Sequence, residues 1–274
     1  MDRIPQVTRR NVLITASTVA LVGGVGGTVL FAEAASETRD CGSWDDPPGE
    51  FSEVNIVEPE TETSHLPSAA EEVVFYLHGW NSTDHSIPQA ATLERALSQS
   101  GYDEPVIAVT WDSNTMTDGE ERADQAAERF ADWLTAYAQS NPDTTIRVIG
   151  HSLGGRVILE TLTVLDGAVV LETVVPVGAG VLADTVCVER TYAEGIRQSA
   201  VDVYSYYSRN DAVVADVFGL VAGGDGLGAV GSECRSQEPP DNYTDVDVTD
   251  VVDRHCDYLR PTVGCVPDIV SNFS

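Results

Sequence analysis

The stretch "VIGHSLGGRV", residues 148–157, decides how the rest of the chain is read. Ser152 stands between His151 and Leu153, with Gly150 and Gly154 two positions away on either side and Gly155 next. Two readings compete: a glycine-rich structural turn, or a serine held out of a sharp corner to attack a carbonyl carbon. The flanks discriminate between them. "TIRVIGHS" is apolar and β-branched and reads as a strand, while "GGRVILETLTVL" carries a helical apolar pattern. A G-x-S-x-G turn between strand and helix is the setting of a nucleophile elbow, whose glycines remove side chains that would clash around a strained serine. A helix starting behind Ser152 also aims its positive end at an oxyanion forming there.

Outward from the elbow, short β-branched runs alternate with helical patterns. "EEVVFYLHGW" (71–80) and "PVIAVTW" (105–111) read as buried strands, as do the later "LETVVPVGAG" (171–180) and "AVDVYSYYSRND" (200–211). Between them lie helical patterns at 88–101, with proline at its start and glycine at its stop, at 118–140 and at 188–198. The alternation predicts an α/β fold with a mostly parallel central sheet and helices on both faces. The strands' apolar runs fit a parallel sheet, whose strands are covered on both sides and lose the in–out alternation. Residues 35–70, rich in proline, serine, threonine and acids, read as a linker or surface arm, and residues 71–274 as one domain.

A serine hydroxyl needs a base to take its proton, and in this architecture the acid and the histidine follow the serine in that order. His255 is the one histidine after Ser152. For the acid, Asp211 follows the strand-like "VYSYYSRN"; Asp184 in "GAGVLADT" is its rival and Asp216 a third choice. Such an acid holds the imidazole's tautomer and stabilises the imidazolium. Two oxyanion donors are expected, the backbone N–H groups of Leu153, directly after the nucleophile, and of Trp80 in the loop "LHGWNST". His78, Gly79 and His151 are candidates to contact substrate. Trp80 and Trp111 are candidates to line the pocket, although buried tryptophans are also ordinary core.

These segments together resemble the α/β-hydrolase superfamily, on its lipase and esterase-like side. The resemblance covers roughly residues 71–260 and rests on "LHGW", "GHSLGG", "SRNDAVV" and "DRHCDYL". It implies acyl-serine chemistry on a small-molecule acyl ester: Ser152 attacks, His255 shuttles the proton, and water releases the acid. Amide or peptide hydrolysis and acyl transfer use the same triad and remain alternatives, as does a non-catalytic surface binding protein on this scaffold. No long apolar lid is evident, so soluble esters are favoured over aggregated lipid. The glycine-rich "FGLVAGGDGLGAVG" (218–231) is either a mobile cover or a surface loop.

Composition bounds habitat more than chemistry. The 274 residues include 44 acids and 15 basic residues, all arginine, for a net charge of −29. Such a surface repels nucleic acid and anionic membrane. It is similar to the lysine-poor, acidic surfaces of haloarchaeal proteins; at about 1 M salt the Debye length falls to roughly 3 Å and self-repulsion is largely screened. Arg9 and Arg10 precede an uncharged apolar run over 12–32 and a small-x-small site at 32–34. That pattern is similar to a twin-arginine export signal over residues 1–34, with an uncleaved membrane anchor as the alternative. Outside the cell the five cysteines would support disulfides, with one left over. No C-x-x-C or H-E-x-x-H spacing suggests a metal, no cofactor is called for, and oligomeric state is left open.

Overall fold

The computed structural model describes residues 44, 46–47, 49–68, 70–114, 118–235 and 237–273. The expected signal or anchor over 1–34, and Cys41, lie outside them.

Eight strands form one sheet: β1 (Glu53–Asn55), β2 (Glu62–Ser64), β3 (Glu72–Leu77), β4 (Val106–Thr110), β5 (Thr145–His151), β6 (Leu171–Val177), β7 (Ala200–Tyr207) and β8 (Tyr243–Asp247). Their order across the sheet is β2-β1-β4-β3-β5-β6-β7-β8. Every neighbouring pair is parallel except the β1/β2 edge hairpin. This is the α/β-hydrolase fold expected from the sequence.

The connections are the helices α1 (Ser86–Gln99), α2 (Gly119–Ser140), α3 (Leu153–Leu165) and α4 (Ala193–Ser199), then the short α5 (Gly219–Ala222), α6 (Leu227–Val230) and α7 (Val266–Ser271). They divide over the two faces because strand side chains alternate. In β3, Val73, Phe75 and Leu77 join the core under α2 and α3, which contribute Ala127, Phe130, Leu134, Val157 and Leu162. Val74 and Tyr76 point the other way, to Leu93 and Leu97 of α1 and Val266 and Ile269 of α7. On the first face the Phe75 ring meets Phe130, Trp133 and Tyr137 edge-on, with centroids 5.7, 5.4 and 5.5 Å away. Such aromatic contacts add about 0.5–1.5 kcal/mol each to the area they bury.

The arm expected over 35–70 is corrected by the structure: part of it belongs to the sheet. β1 pairs with β4, and Phe51, Val54 and Ile56 are buried. Two three-residue strands among acids and prolines carry no readable period of their own. Their order comes from pairing: β1 covers the open edge of β4, and β2 covers β1 in turn. The glycine-rich segment is also more structured than a loose cover. In α6, Leu227 and Gly228 are packed inside, and a Cβ on Gly228 would lie 2.2 Å from the Gly178 carbonyl carbon.

Among the described residues one bridge joins Cys187 to Cys234, with Cα atoms 5.5 Å apart. Cys256 is also disulfide-bonded, and Cys265 is a buried free thiol. No helix of the described residues is long and apolar enough to cross a membrane.

Candidate active site

β5 ends at His151 and α3 begins at Leu153, so Ser152 alone makes the corner. It adopts φ 58° and ψ −121°, a region that costs a side-chain-bearing residue on the order of 1–3 kcal/mol. The surroundings hold it there. Its N–H donates to the Val177 carbonyl at 3.0 Å, and its carbonyl accepts from the N–H groups of Gly155 and Gly180 at 2.9 and 3.1 Å. The glycines are required by contact. A Cβ on Gly150 would sit 2.4 Å from the Gly154 carbonyl oxygen, and one on Gly154 would sit 2.2 Å from that of Leu77. Leu153 occupies the first turn of α3, where backbone N–H groups have no partner within the helix. In a chain with 44 acids, that turn carries none, whereas the first turn of α2 carries Glu120 and Glu121. The positive end of α3 is therefore not neutralised locally.

Past the end of β7, Asp211 is fully buried and each of its carboxylate oxygens is used. Oδ1 accepts from the Val214 N–H at 3.0 Å, and Oδ2 accepts from His255 Nδ1 at 2.7 Å and from the Tyr258 hydroxyl at 3.2 Å. Because the carboxylate accepts, the proton of neutral His255 is on Nδ1, and Nε2 carries the lone pair a base needs. The single Tyr258 hydroxyl proton is shared between Asp211 Oδ2 and the Gly228 carbonyl at 3.0 Å, which ties the His255 loop to α6. The rival acids are elsewhere. Asp184 is ion-paired with Arg190, and Asp216 lies on the π-helical turn Val213–Phe218 beyond Asp211. A π-helical turn inserts an extra residue, a feature frequent near functional sites.

His255 sits beside the elbow. Its ring centroid is 4.6 Å from that of His151, whose Nε2 bonds the His255 backbone carbonyl at 2.8 Å. Burial and the neighbouring His255 push the His151 pKa down to about 3.

The loop after β3 runs tightly under the serine. A Cβ on Gly79 would lie 2.8 Å from Ser152 Cβ and 3.3 Å from its hydroxyl, so only glycine lets the chain pass this close to the serine. Anchoring comes from the β4 loop, through Asn81 N–H to the Ser113 carbonyl at 2.8 Å. His78 faces inward rather than toward a ligand. It is fully buried, with Nε2 accepting from the Trp111 N–H at 3.2 Å and Nδ1 bonding the Gly79 carbonyl at 3.0 Å. Burial pushes its pKa down to about 4. Trp111 likewise belongs to the core, stacked on His78 at 5.5 Å with its indole N–H on the His78 carbonyl. Trp80 is half-buried.

Of the residues expected at the site, Ser152, Leu153, Gly79, His151, His255 and Asp211 thus converge at the C-terminal ends of the strands. His78 lies beneath them. Tyr258 and Gly178 went unread. Gly178 has φ 55°, and a Cβ there would meet the Tyr258 ring at 2.8 Å and Asp211 Oδ2 at 3.1 Å. The only signal for either was proximity to motif residues. Among the described residues no cluster of side chains suits a metal ion.

The fold and the elbow define the class: the chain has the α/β-hydrolase fold. Within it, residues 58–183 match the family described as "Alpha/beta hydrolase of unknown function (DUF900)". No curated protein matches the chain. Among solved structures it is similar to carboxyl esterase 2 from Tuber melanosporum, at 12% identity and TM-score 0.48 over 89% of this chain and 97% of that one. It is similar also to an esterase from Pyrobaculum calidifontis, at 14% identity and TM-score 0.47 over 90% of this chain and 89% of that one. A lipase-esterase related protein from Clostridium acetobutylicum is similar at 11% identity and TM-score 0.45, over 75% of this chain and 95% of that one.

Proposed function

We propose that this chain is an exported serine hydrolase that cleaves carboxylic acid esters through an acyl-serine intermediate. The observation that carries the reading is the buried Asp211–His255 pair, its Nδ1–Oδ2 distance 2.7 Å, with the imidazole beside the residue that precedes a strained elbow serine. In the first half-reaction Ser152 Oγ attacks the ester carbonyl carbon and His255 Nε2 takes the hydroxyl proton. Asp211 stabilises the imidazolium, and the N–H groups of Leu153 and Trp80 hold the oxyanion. Collapse of the tetrahedral intermediate expels the alcohol, which receives its proton from His255. Water then attacks the acyl-serine with His255 again as base; the imidazolium returns that proton to Ser152 Oγ as the C–Oγ bond breaks, and the carboxylic acid leaves.

Substrates are proposed to be soluble acyl esters. The inner half of the glycine-rich segment is tied down near the site, with Leu227 N–H on the Val181 carbonyl and Gly228 N–H on that of Ala179. This supports a site without a large apolar cover. Export rests on the twin-arginine pattern and agrees with the Cys187–Cys234 bridge, because disulfides persist in oxidising compartments. The test is hydrolysis of a p-nitrophenyl ester series in molar salt, beside the matching anilides and Ser152→Ala. Ester turnover lost in Ser152→Ala supports the reading. Cleavage of anilides in preference moves it to amidases, and a folded wild type inert to both overturns it.

A further inference from the structure

We infer that His151 is a positioning residue that clamps the His255 loop onto the nucleophile elbow by donating its Nε2–H to the His255 backbone carbonyl; this rests on the proposed serine-hydrolase reading.

His255 lies in a stretch of turns between β8 and α7, without a strand or helix to fix it. Its neighbours are pinned to other parts of the molecule. Ser208 Oγ and Asn210 Nδ2 bond the Val252 carbonyl, and Tyr258 holds α6, while Arg254 pairs with Asp257 inside the loop itself. None of those contacts touches the elbow. His151 does, because it is the residue joined to Ser152. A fixed carbonyl at His255 fixes the peptide plane that carries the imidazole, so one side chain couples the base's backbone to the nucleophile's.

The chemistry of the contact is determined. A carbonyl only accepts, so His151 Nε2 must carry its proton and the ring is the Nε2–H tautomer. The ring is nine-tenths buried, and His255 opposes a second positive charge 4.6 Å away. His151 therefore remains a neutral donor when His255 becomes an imidazolium. Misplacing a catalytic group by about 1 Å costs on the order of 100-fold in rate.

Two variants separate the roles. His151→Gln keeps an amide N–H near the Nε2 position and loses the ring; His151→Phe keeps the ring and loses the donor. The clamp predicts that kcat for a p-nitrophenyl ester falls about 10- to 100-fold in His151→Phe, with KM within about twofold, and is largely retained in His151→Gln. Wild-type kcat in a folded His151→Phe overturns it. So does a rise in KM with kcat unchanged, which marks a substrate contact, or an equal loss in both variants. Should neither variant fold, nitrogen-15 NMR of the wild type at pH 7 decides. His151 protonated on Nε2 supports the clamp, and protonation on Nδ1 alone overturns it. A wild type without esterase activity, by contrast, removes the hydrolase reading and leaves the NMR result standing.

Discussion

Asp211 Oδ2 and His255 Nδ1 lie 2.7 Å apart in the interior, although 44 positions of sequence separate them. A carboxylate this deep is tolerated because its oxygens take three donors, from the Val214 N–H, the Tyr258 hydroxyl and the imidazole. The pair orients His255 and sets its tautomer, and several consequences can be measured.

Asp211→Asn should lower ester kcat by about 10³–10⁴, because an amide in place of the carboxylate favours the wrong tautomer and stabilises no imidazolium. Asp184→Asn breaks only its pair with Arg190 and should leave kcat within about twofold. Steady-state kinetics on the two purified variants checks the contrast. Equal losses would place the acid on the other strand.

Ser152→Gly should be more stable than Ser152→Ala while both are inactive. Alanine inherits the strain at φ 58° and ψ −121°; glycine does not, a difference on the order of 1–3 kcal/mol. Calorimetry in molar salt should find Tm higher by several degrees in the glycine variant.

Stability should fall between pH 6.5 and 5. His78 and His151 have folded pKa values pushed down to about 4 and about 3 from 6.5. In that window the unfolded chain takes up their protons and the folded protein does not, so lowering pH favours unfolding. At pH 5 the loss is roughly 2 kcal/mol for each histidine. The cost is absent above pH 6.5 and saturates below the folded values. Thermal melts at pH 7.5 and 5.0 measure it; half the loss would mean that one of the two rings is accessible to protons, and a flat Tm that both are.

Removing the Cys187–Cys234 bridge by a double change to serine should cost about 4 kcal/mol, from the loop entropy released over a separation of 47 residues. Chemical denaturation of the double variant gives the value. The activity of the protein that remains folded should be unchanged, since neither cysteine touches Ser152, Asp211 or His255.

Much of this molecule is legible in its sequence. β3, β4 and β5 read as buried runs because both of their faces are covered, and the elbow reads because Gly150 and Gly154 are dictated by contacts closer than 3 Å. His255 is legible because it is alone after Ser152, and Asp211 because it follows a strand at the right end of the sheet. β1 and β2 escape because three residues cannot show a period and β4, the partner of β1, is some fifty residues away in sequence. The inward turn of His78 toward Trp111, and of His151 toward the His255 carbonyl, depends on tertiary neighbours that no local pattern encodes. Tyr258 escapes for the same reason. Its hydroxyl meets an acid 47 positions earlier, and nothing about a tyrosine three residues past a histidine announces that.

The most direct measurement is labelling of the folded protein with a fluorophosphonate in molar salt, followed by mass mapping of the modified peptide. The account predicts one adduct, on Ser152, formed quickly in the wild type, greatly slowed in Asp211→Asn and absent from Ser152→Ala. An adduct on another residue, or a folded wild type that stays unlabelled, would contradict it.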